Sequence, residues 1–403
     1  MRLSAVFFAF LLLVSSAWAG ERAATPHSPI KIGELFCYTA CADHAQSWRH
    51  GWQLALDEIN KAGGVLGNPL EVLSRDDKGT PDETIRSLEE LYGRDRARIF
   101  FGTLFSHTSL AASDFSKRNR VLFVKGFDGS NTLTERMGHD LFFQFGPSTR
   151  VLIGPLAEKA AASGKKRWAF VAPDYETGRI FVEQFQRALK DLNPNVEFVE
   201  TQWFPLGKLN AGLVTQTIAH SNPDGIFAVA MSGDYARFVR EGNKRKLFDN
   251  RMVVGPLAGD GSYIKPLGKE APVGWLSAQG YPVEQITDPV HKKFIDRYNE
   301  MFGSLPDLPA FYAYSTLKVL ADAINAASTD DPQKVAEVMR QRQFSIPDGI
   351  LTFRRDNISN RGTWVGTTGF YNGVPTILNP EYIKPDKYLL SVEEVLIVRG
   401  EQN

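Results

Sequence analysis

The sequence predicts an α/β protein of two consecutive doubly wound lobes, each a parallel sheet covered on both faces by helices. Three observations carry this. From Ser28 onward, short apolar runs alternate with amphipathic stretches at helical spacing. The same phrase then repeats after an interruption at Gly146-Pro147, where GPSTR breaks the periodicity and proline cannot continue a central strand. The chain has 403 residues, 43% apolar and 23% charged, which is ordinary globular composition with enough length for two lobes, each with its own core.

The elements follow in order. IKIGELF (30–36) is an apolar strand, followed by the loop CYTACADH. In SWRHGWQLALDEINKAGG, Trp48, Trp52, Ala55, Leu56 and Ile59 recur at helical spacing, and Gly63-Gly64 ends the helix. LEVLSRDD (70–77) is a strand, Pro81 opens the helix PDETIRSLEELYG, and ARIFFG (97–102) is a strand again. SHTSLAASDFSKRN reads as a helix N-capped by Ser106, followed by the strand VLFVKG (121–126). In the second unit RWAFVA (167–172), VEFVETQWF, DGIFAVA (224–230) and RMVVG (251–255) are strands. The stretches GRIFVEQFQRALKDL, NAGLVTQTIAHS and DYARFVREGNKRKLF between them are helices. Strand and helix alternating in this way make parallel sheets. After Trp275 two long helices, DPVHKKFIDRYNEMFG and AFYAYSTLKVLADAINAAS, are too little for a third domain and are expected to return to the first lobe.

The N-terminus sets the compartment. MRLSAVFFAFLLLVSSAWAG has one arginine, an apolar run from Ala5 to Val14 and an Ala17-Trp18-Ala19 cleavage site, the form of a secretory signal peptide over residues 1–19. Its apolar core is too short to span a bilayer, which needs about 20 residues. The expectation is export to the oxidising periplasm without a lipid or membrane anchor, and so a protein not inserted in the membrane. Without that segment, 45 basic residues (46 less Arg2) face 46 acidic ones, a balance that argues against a nucleic-acid or anionic-membrane partner. Two cysteines do not make a disulfide scaffold, so burial supplies the stability.

Several phrases in this order resemble the type I periplasmic solute-binding proteins of ABC importers, and within them the leucine/isoleucine/valine-binding branch. They are IKIGELF, GWQLALDEINKAGGVLGNPLEVLSRDD with its PDETI, FFGTLFSHTSLAASDFSKRNRVLFV, APDYETGR, VREGNKRKLF and FYAYSTLKVLADAI. The resemblance spans almost the whole exported chain, and the DEIN-x-AGG-x-x-G block and the DYETG turn are its specific parts. It implies two Rossmann-like lobes joined by three crossover segments. The N-terminal lobe then takes residues 28–146 and 277–345, and the C-terminal lobe 147–276 and 346–400. It further implies a monomer that closes like a hinge on a small solute, needs no cofactor or metal, and delivers the solute to an inner-membrane ABC permease. A ligand-sensing module docked on a membrane receptor has the same fold, so fold alone does not separate the two.

The resemblance also points to residues. The loop with Ser106, His107 and Thr108 opens a helix and holds the ligand carboxylate in relatives, as a helix N-terminus suits an anion; capping by Ser106 is compatible with this. A small residue and a threonine used by amino-acid binders fall on Phe127, Asp128 and Gly129, so here an aromatic ring and an acid replace them. Phe127 either stacks on an aromatic ligand or packs. The family's ring before a glycine falls on Thr177, which leaves Tyr175 as the aromatic of the cleft mouth, or else a turn residue. Met231 stands where relatives place another ring and gives a softer wall. The acid that meets a ligand ammonium falls near Leu257, which cannot act so; Asp260 or Asp128 takes the role, because an unpaired ammonium in a closed cleft costs several kcal/mol. Asp234 reads as a cap for its own helix. Arg49, Lys125 and Arg150 read first as solvated surface groups, with Arg49 and Lys125 held in reserve as partners for a carboxylate.

Signatures of catalysis are missing: the sequence has no G-x-S-x-G, H-E-x-x-H, P-loop or paired C-x-x-C groups, so a binding protein is expected rather than an enzyme. The exception to weigh is CYTACADH, with Cys37, Cys41 and His44. It supplies half of a zinc site, and no second pair exists. In an oxidising compartment the five-residue span favours a Cys37–Cys41 disulfide over free thiols, in a loop that presents Tyr38 to the ligand. Ligand identity stays open among amino acids, other carboxylates, amides, urea and aromatic acids.

Overall fold

The structure, a computed structural model, describes residues 28–127 and 129–400. The segment read as a signal peptide, and Asp128, lie outside the described residues.

The first lobe is built on five parallel strands: β1 (Ile30–Phe36), β2 (Leu70–Asp76), β3 (Ile99–Gly102), β4 (Leu122–Lys125) and β5 (Phe142–Gln144), in the order β2-β1-β3-β4-β5. Between them run α1 (Ala42–Lys61), α2 (Pro81–Gly93) and α3 (Ser106–Asn119). Pro81 does open α2, with the Thr80 side chain capping it at the Glu83 amide. Helix α1 begins at Ala42, inside CYTACADH, more than a turn earlier than its apolar spacing implied. That places His44 on a helix rather than in a loop.

The chain leaves this lobe at Gly146-Pro147 and builds the second with α4 (Thr149–Ala162), β6 (Arg167–Pro173), α5 (Glu176–Leu192), β7 (Glu197–Phe204), α6 (Ala211–His220), β8 (Gly225–Ala228), α7 (Ser232–Lys244), β9 (Met252–Val254), α8 (Gly261–Ile264) and β10 (Leu276–Ser277). It then returns to the first lobe with α9 (Pro289–Phe302), α10 (Leu308–Ala327) and α11 (Pro332–Gln341), followed by the small hairpin β11 (Phe344–Ile346) and β12 (Gly349–Leu351). A third passage leads to β13 (Thr363–Tyr371), β14 (Val374–Ile383) and α12 (Val392–Arg399). The second sheet runs β14-β13-β10-β9-β8-β6-β7.

Two features differ from the sequence reading. The second sheet is mixed, because β13 pairs antiparallel with β10 and with β14. The β13–β14 turn is Asn372-Gly373, both at positive φ, as a tight hairpin demands. The lobe boundaries also shift: Ser277 belongs to β10 of the second sheet, whereas residues 346–353 stay with the first lobe. The cause is the apolar alternation of Phe344, Ile346, Leu351 and Phe353, which is buried in the first lobe's core. Helix α12, for its part, lies back on the first lobe, where Arg399 Nη2 donates to the Thr134 carbonyl at 2.6 Å.

Each lobe has its own core. In the first, α1 and α10 pack so closely that a Cβ on Gly51 would lie 2.2 Å from the Ala310 carbonyl oxygen, so only glycine fits. Cys37 and Cys41 form a disulfide with Cα atoms 5.2 Å apart, and both are buried in this core. The five-residue turn therefore brings them within bridging distance.

Candidate functional site

Every parallel strand but β2 leads at its carboxyl end to one cavity of about 310 Å³ between the lobes, β5 through Thr149 at the start of α4. From the first lobe come Ala40, Cys41 and His44 after β1, Ser106 after β3, and Phe127 and Ser130 after β4. From the second come Tyr175 after β6, Leu206 after β7, Met231 after β8, Leu257 and Asp260 after β9, and Gln279 after β10. This is where open parallel sheets hold ligands, since strand ends and helix starts converge there.

Helix capping divides along the same line. The helices α2, α6, α9, α10, α11 and α12 are each capped by a side chain, from Thr80, Asn210, Asp288, Asp307, Asp331 and Ser391. By contrast α1, α3, α4, α5 and α7 have no side-chain cap, and all five open onto the cavity through Cys41, Ser106, Thr149, Tyr175 and Ser232. The positive dipole ends of these helices lie at the cavity, although the first amides of α4 are taken by the Gly129 carbonyl at 3.1 Å and Asn131 Oδ1 at 3.2 Å. Beside them, the buried Ser148 hydroxyl at the start of α4 has no hydrogen-bond partner.

Among the described lining residues the acids are Asp234 and Asp260. Asp234 does not cap α7; its oxygens accept from the amides of Gly207 at 2.7 Å and Leu209 at 3.0 Å, and it pairs with Arg237. It thus ties down the loop after β7. Asp260 caps the short α8 through the Ser262 amide at 2.8 Å, while its other oxygen meets His44 Nε2 at 3.1 Å, across the gap between the lobes. Both members of that pair are 2% exposed. Burial alone would lower the His44 pKa, but the charges of Asp260, Asp307 and Asp43 hold it above the ordinary imidazole value. The rings of Tyr263 and Phe127 close edge-on around it, with centroids 5.0 and 5.8 Å away. Two more bonds cross between the lobes: Ser262 Oγ to Asp307 at 3.3 Å and Ser130 Oγ to Glu176 at 3.3 Å.

Of the residues named from sequence, the structure brings Ser106, Phe127, Tyr175, Met231 and Asp260 together on the cavity wall, with Gly129, Thr177 and Leu257 beside them. Three others are placed elsewhere. Tyr38 turns into the first lobe, donating to Glu34 at 3.0 Å, accepting from Trp52 Nε1 at 3.2 Å and lying 4.0 Å beneath the Arg49 guanidinium. Burial pushes the Glu34 carboxyl it serves up to about 7, so this acid needs its phenol and indole partners. His107 stacks on Phe105 and bonds the Gly79 carbonyl at 2.9 Å, and Thr108 is fully buried, donating back to the Phe105 carbonyl at 2.9 Å. The rotation of about 100° per residue along α3 carries them off the wall that Ser106 faces. Ser106 itself is the first residue of α3, not its cap, which is Phe105.

The basic groups also differ from expectation. Lys125 is fully buried, with Nζ donating to the Leu104 carbonyl at 2.9 Å and to Ser109 Oγ at 2.8 Å. Arg150 is paired with Glu135 at 2.6 Å. Neither lines the cavity, whereas Arg237 does. Sequence reasoning missed His44, Arg237, Tyr263 and Gln279 as wall residues. For His44 the signal was present, since it lay in the loop after β1, but its partner stands 216 residues away.

The model of the periplasmic binding protein family matches residues 29–367, most of the chain. Among curated proteins, the chain is 27% identical over 320 residues to a leucine-, isoleucine-, valine-, threonine- and alanine-binding protein of Pseudomonas aeruginosa, covering 77% of this chain and 82% of that one. A solute binding protein of an ABC transporter from Rhodopseudomonas palustris, solved with 3,4-dihydroxybenzoic acid, superposes with a TM-score of 0.79 at 20% identity, over 89% of this chain and 99% of that one. A leucine binding protein from Thermotoga maritima gives 0.77 at 22%, again over 89% and 99%. Two sheets whose strand ends meet around one cavity agree with these likenesses, and the chain belongs to the periplasmic binding protein family.

Proposed function

We propose that this protein is the periplasmic solute-capturing component of an ABC importer, closing its lobes on a small amino acid-like or carboxylate solute and presenting it to an inner-membrane permease. The observation that carries the reading is the interlobe cavity, to whose wall both lobes contribute. A site split between two bodies fills only when they close, so ligand affinity drives the closure. The named relatives, which bind amino acids and a benzoate-type acid, support the solute class. Among the described residues no helix is long and apolar enough to cross a membrane, and no three His, Cys, Asp or Glu side chains are grouped to hold a metal. The protein acts as a monomer that captures and releases its ligand unchanged, not as an enzyme.

A thermal-shift panel of amino acids, amides, urea and aromatic and branched carboxylates tests this. A true ligand at 100 times its dissociation constant adds about 2.7 kcal/mol of stability and raises the melting temperature. At least one member of the panel is expected to do so. Uniform indifference to the whole panel would contradict solute capture.

A further inference from the structure

Resting on that reading, we infer that His44 is a built-in counter-ion which fills the place a ligand ammonium would take at Asp260, so that the cleft selects organic acids without a protonated amine. A buried carboxylate must be paired, and in a cleft that closes on an amino acid the ligand itself can supply the cation. Here the chain supplies it. One Asp260 oxygen is held by the Ser262 amide and the other by His44, at 2.8 and 3.1 Å. A ligand ammonium would have to displace a 2%-exposed imidazole that Tyr263 and Phe127 enclose edge-on.

The second lining acid offers no alternative. Asp234 is consumed by two backbone amides and by Arg237. Among the described lining residues the charges therefore balance, Asp234 with Arg237 and Asp260 with His44. What stays uncommitted is the start of α3, which has neither a side-chain cap nor an acid in its first turn, whereas the equally uncapped α1, α5 and α7 carry Asp43, Glu176 and Asp234 there. Around these helix starts, Phe127, Tyr175, Met231 and Leu257 form an apolar surface for the body of the acid. Among the described residues the geometry thus offers a carboxylate the open start of α3 and offers an ammonium no unpaired lining acid.

Matched pairs that differ only in the amino group test this: phenylalanine against 3-phenylpropanoate, and leucine against 4-methylpentanoate, titrated calorimetrically into the full exported chain. In each pair the amine-free acid is expected to bind at least about tenfold more tightly, a difference of about 1.4 kcal/mol. The variants His44→Ala and His44→Gln, which leave Asp260 in place without its counter-ion, should shift that ratio toward the amino acid by about tenfold or more. Two variants of different size guard against simple loss of folding, checked by their melting curves. Wild-type protein that binds the amino acid as well as its amine-free partner overturns the inference and leaves solute capture intact. An unchanged ratio in both folded variants removes His44 from the selection and also overturns it. Binding of no member of either pair would sink the inference and the acid-capture reading together.

Discussion

Replacing Arg361 with methionine is expected to destabilise the protein by about 3–5 kcal/mol, the cost of leaving a buried charge without its partner. Arg361 lies in the third passage between the lobes, and its guanidinium bonds Asp348, in the turn between β11 and β12, at 2.6 Å. The two side chains are 7% and 8% exposed. The guanidinium carbon lies 5.1 Å from the Phe311 ring of α10 and 5.5 Å from the Tyr382 ring of β14. One side chain thus joins the small hairpin, a helix of the first lobe and an edge strand of the second sheet. Removing both charges, as Arg361→Met with Asp348→Leu, avoids the orphaned carboxylate and is expected to cost much less than the single change. Guanidinium unfolding followed by tryptophan fluorescence measures both. A single variant no less stable than the double one would show that Asp348 is not held by this pair.

Phe127→Ala is the second large effect. The ring is 2% exposed and touches both core and cavity: Tyr312 lies 5.3 Å away edge-on, His44 5.8 Å and Trp48 6.3 Å. Truncating such a ring costs about 3–5 kcal/mol. It also removes the apolar wall beside His44, so ligand-induced stabilisation should fall with it. Phe127→Leu keeps most of the volume and should lose less of both. Tyr38→Phe is the control, because Tyr38 faces Glu34 and Trp52 rather than the cavity, and its ligand response should match that of the parent protein. Equal loss of ligand response in the Tyr38 variant would put the site elsewhere.

The alternation of strand and helix made the two lobes legible from Ile30 to Val254, because the inner parallel strands bury both faces and the helices between them show an apolar stripe. The loops after those strands likewise marked the region of the cavity. Three placements were not legible in the strand and helix pattern. Tyr38 sits in a cleft-edge loop, yet a buried Glu34 four residues back draws its hydroxyl inward. His107 and Thr108 share a loop-like phrase with Ser106, but helix geometry turns each successive side chain away. The His44–Asp260 pair joins two lobes, and no spacing rule connects residues so far apart in the chain. The β13–β14 hairpin is a different case. Its Asn372-Gly373 turn between alternating apolar runs was a readable signal that the helix-rich pattern before it obscured.

The central claim is that a small acid is held between the lobes, in reach of both. The most direct measurement is a crystal structure of the protein with whichever acid of the panel raises its melting temperature most. The expected result is density for that acid within the cavity of about 310 Å³, with its body against Phe127 and Met231 and its carboxylate at the uncapped helix starts near Ser106 and Ser232. Density for the acid outside this cavity, or touching one lobe alone, would contradict it.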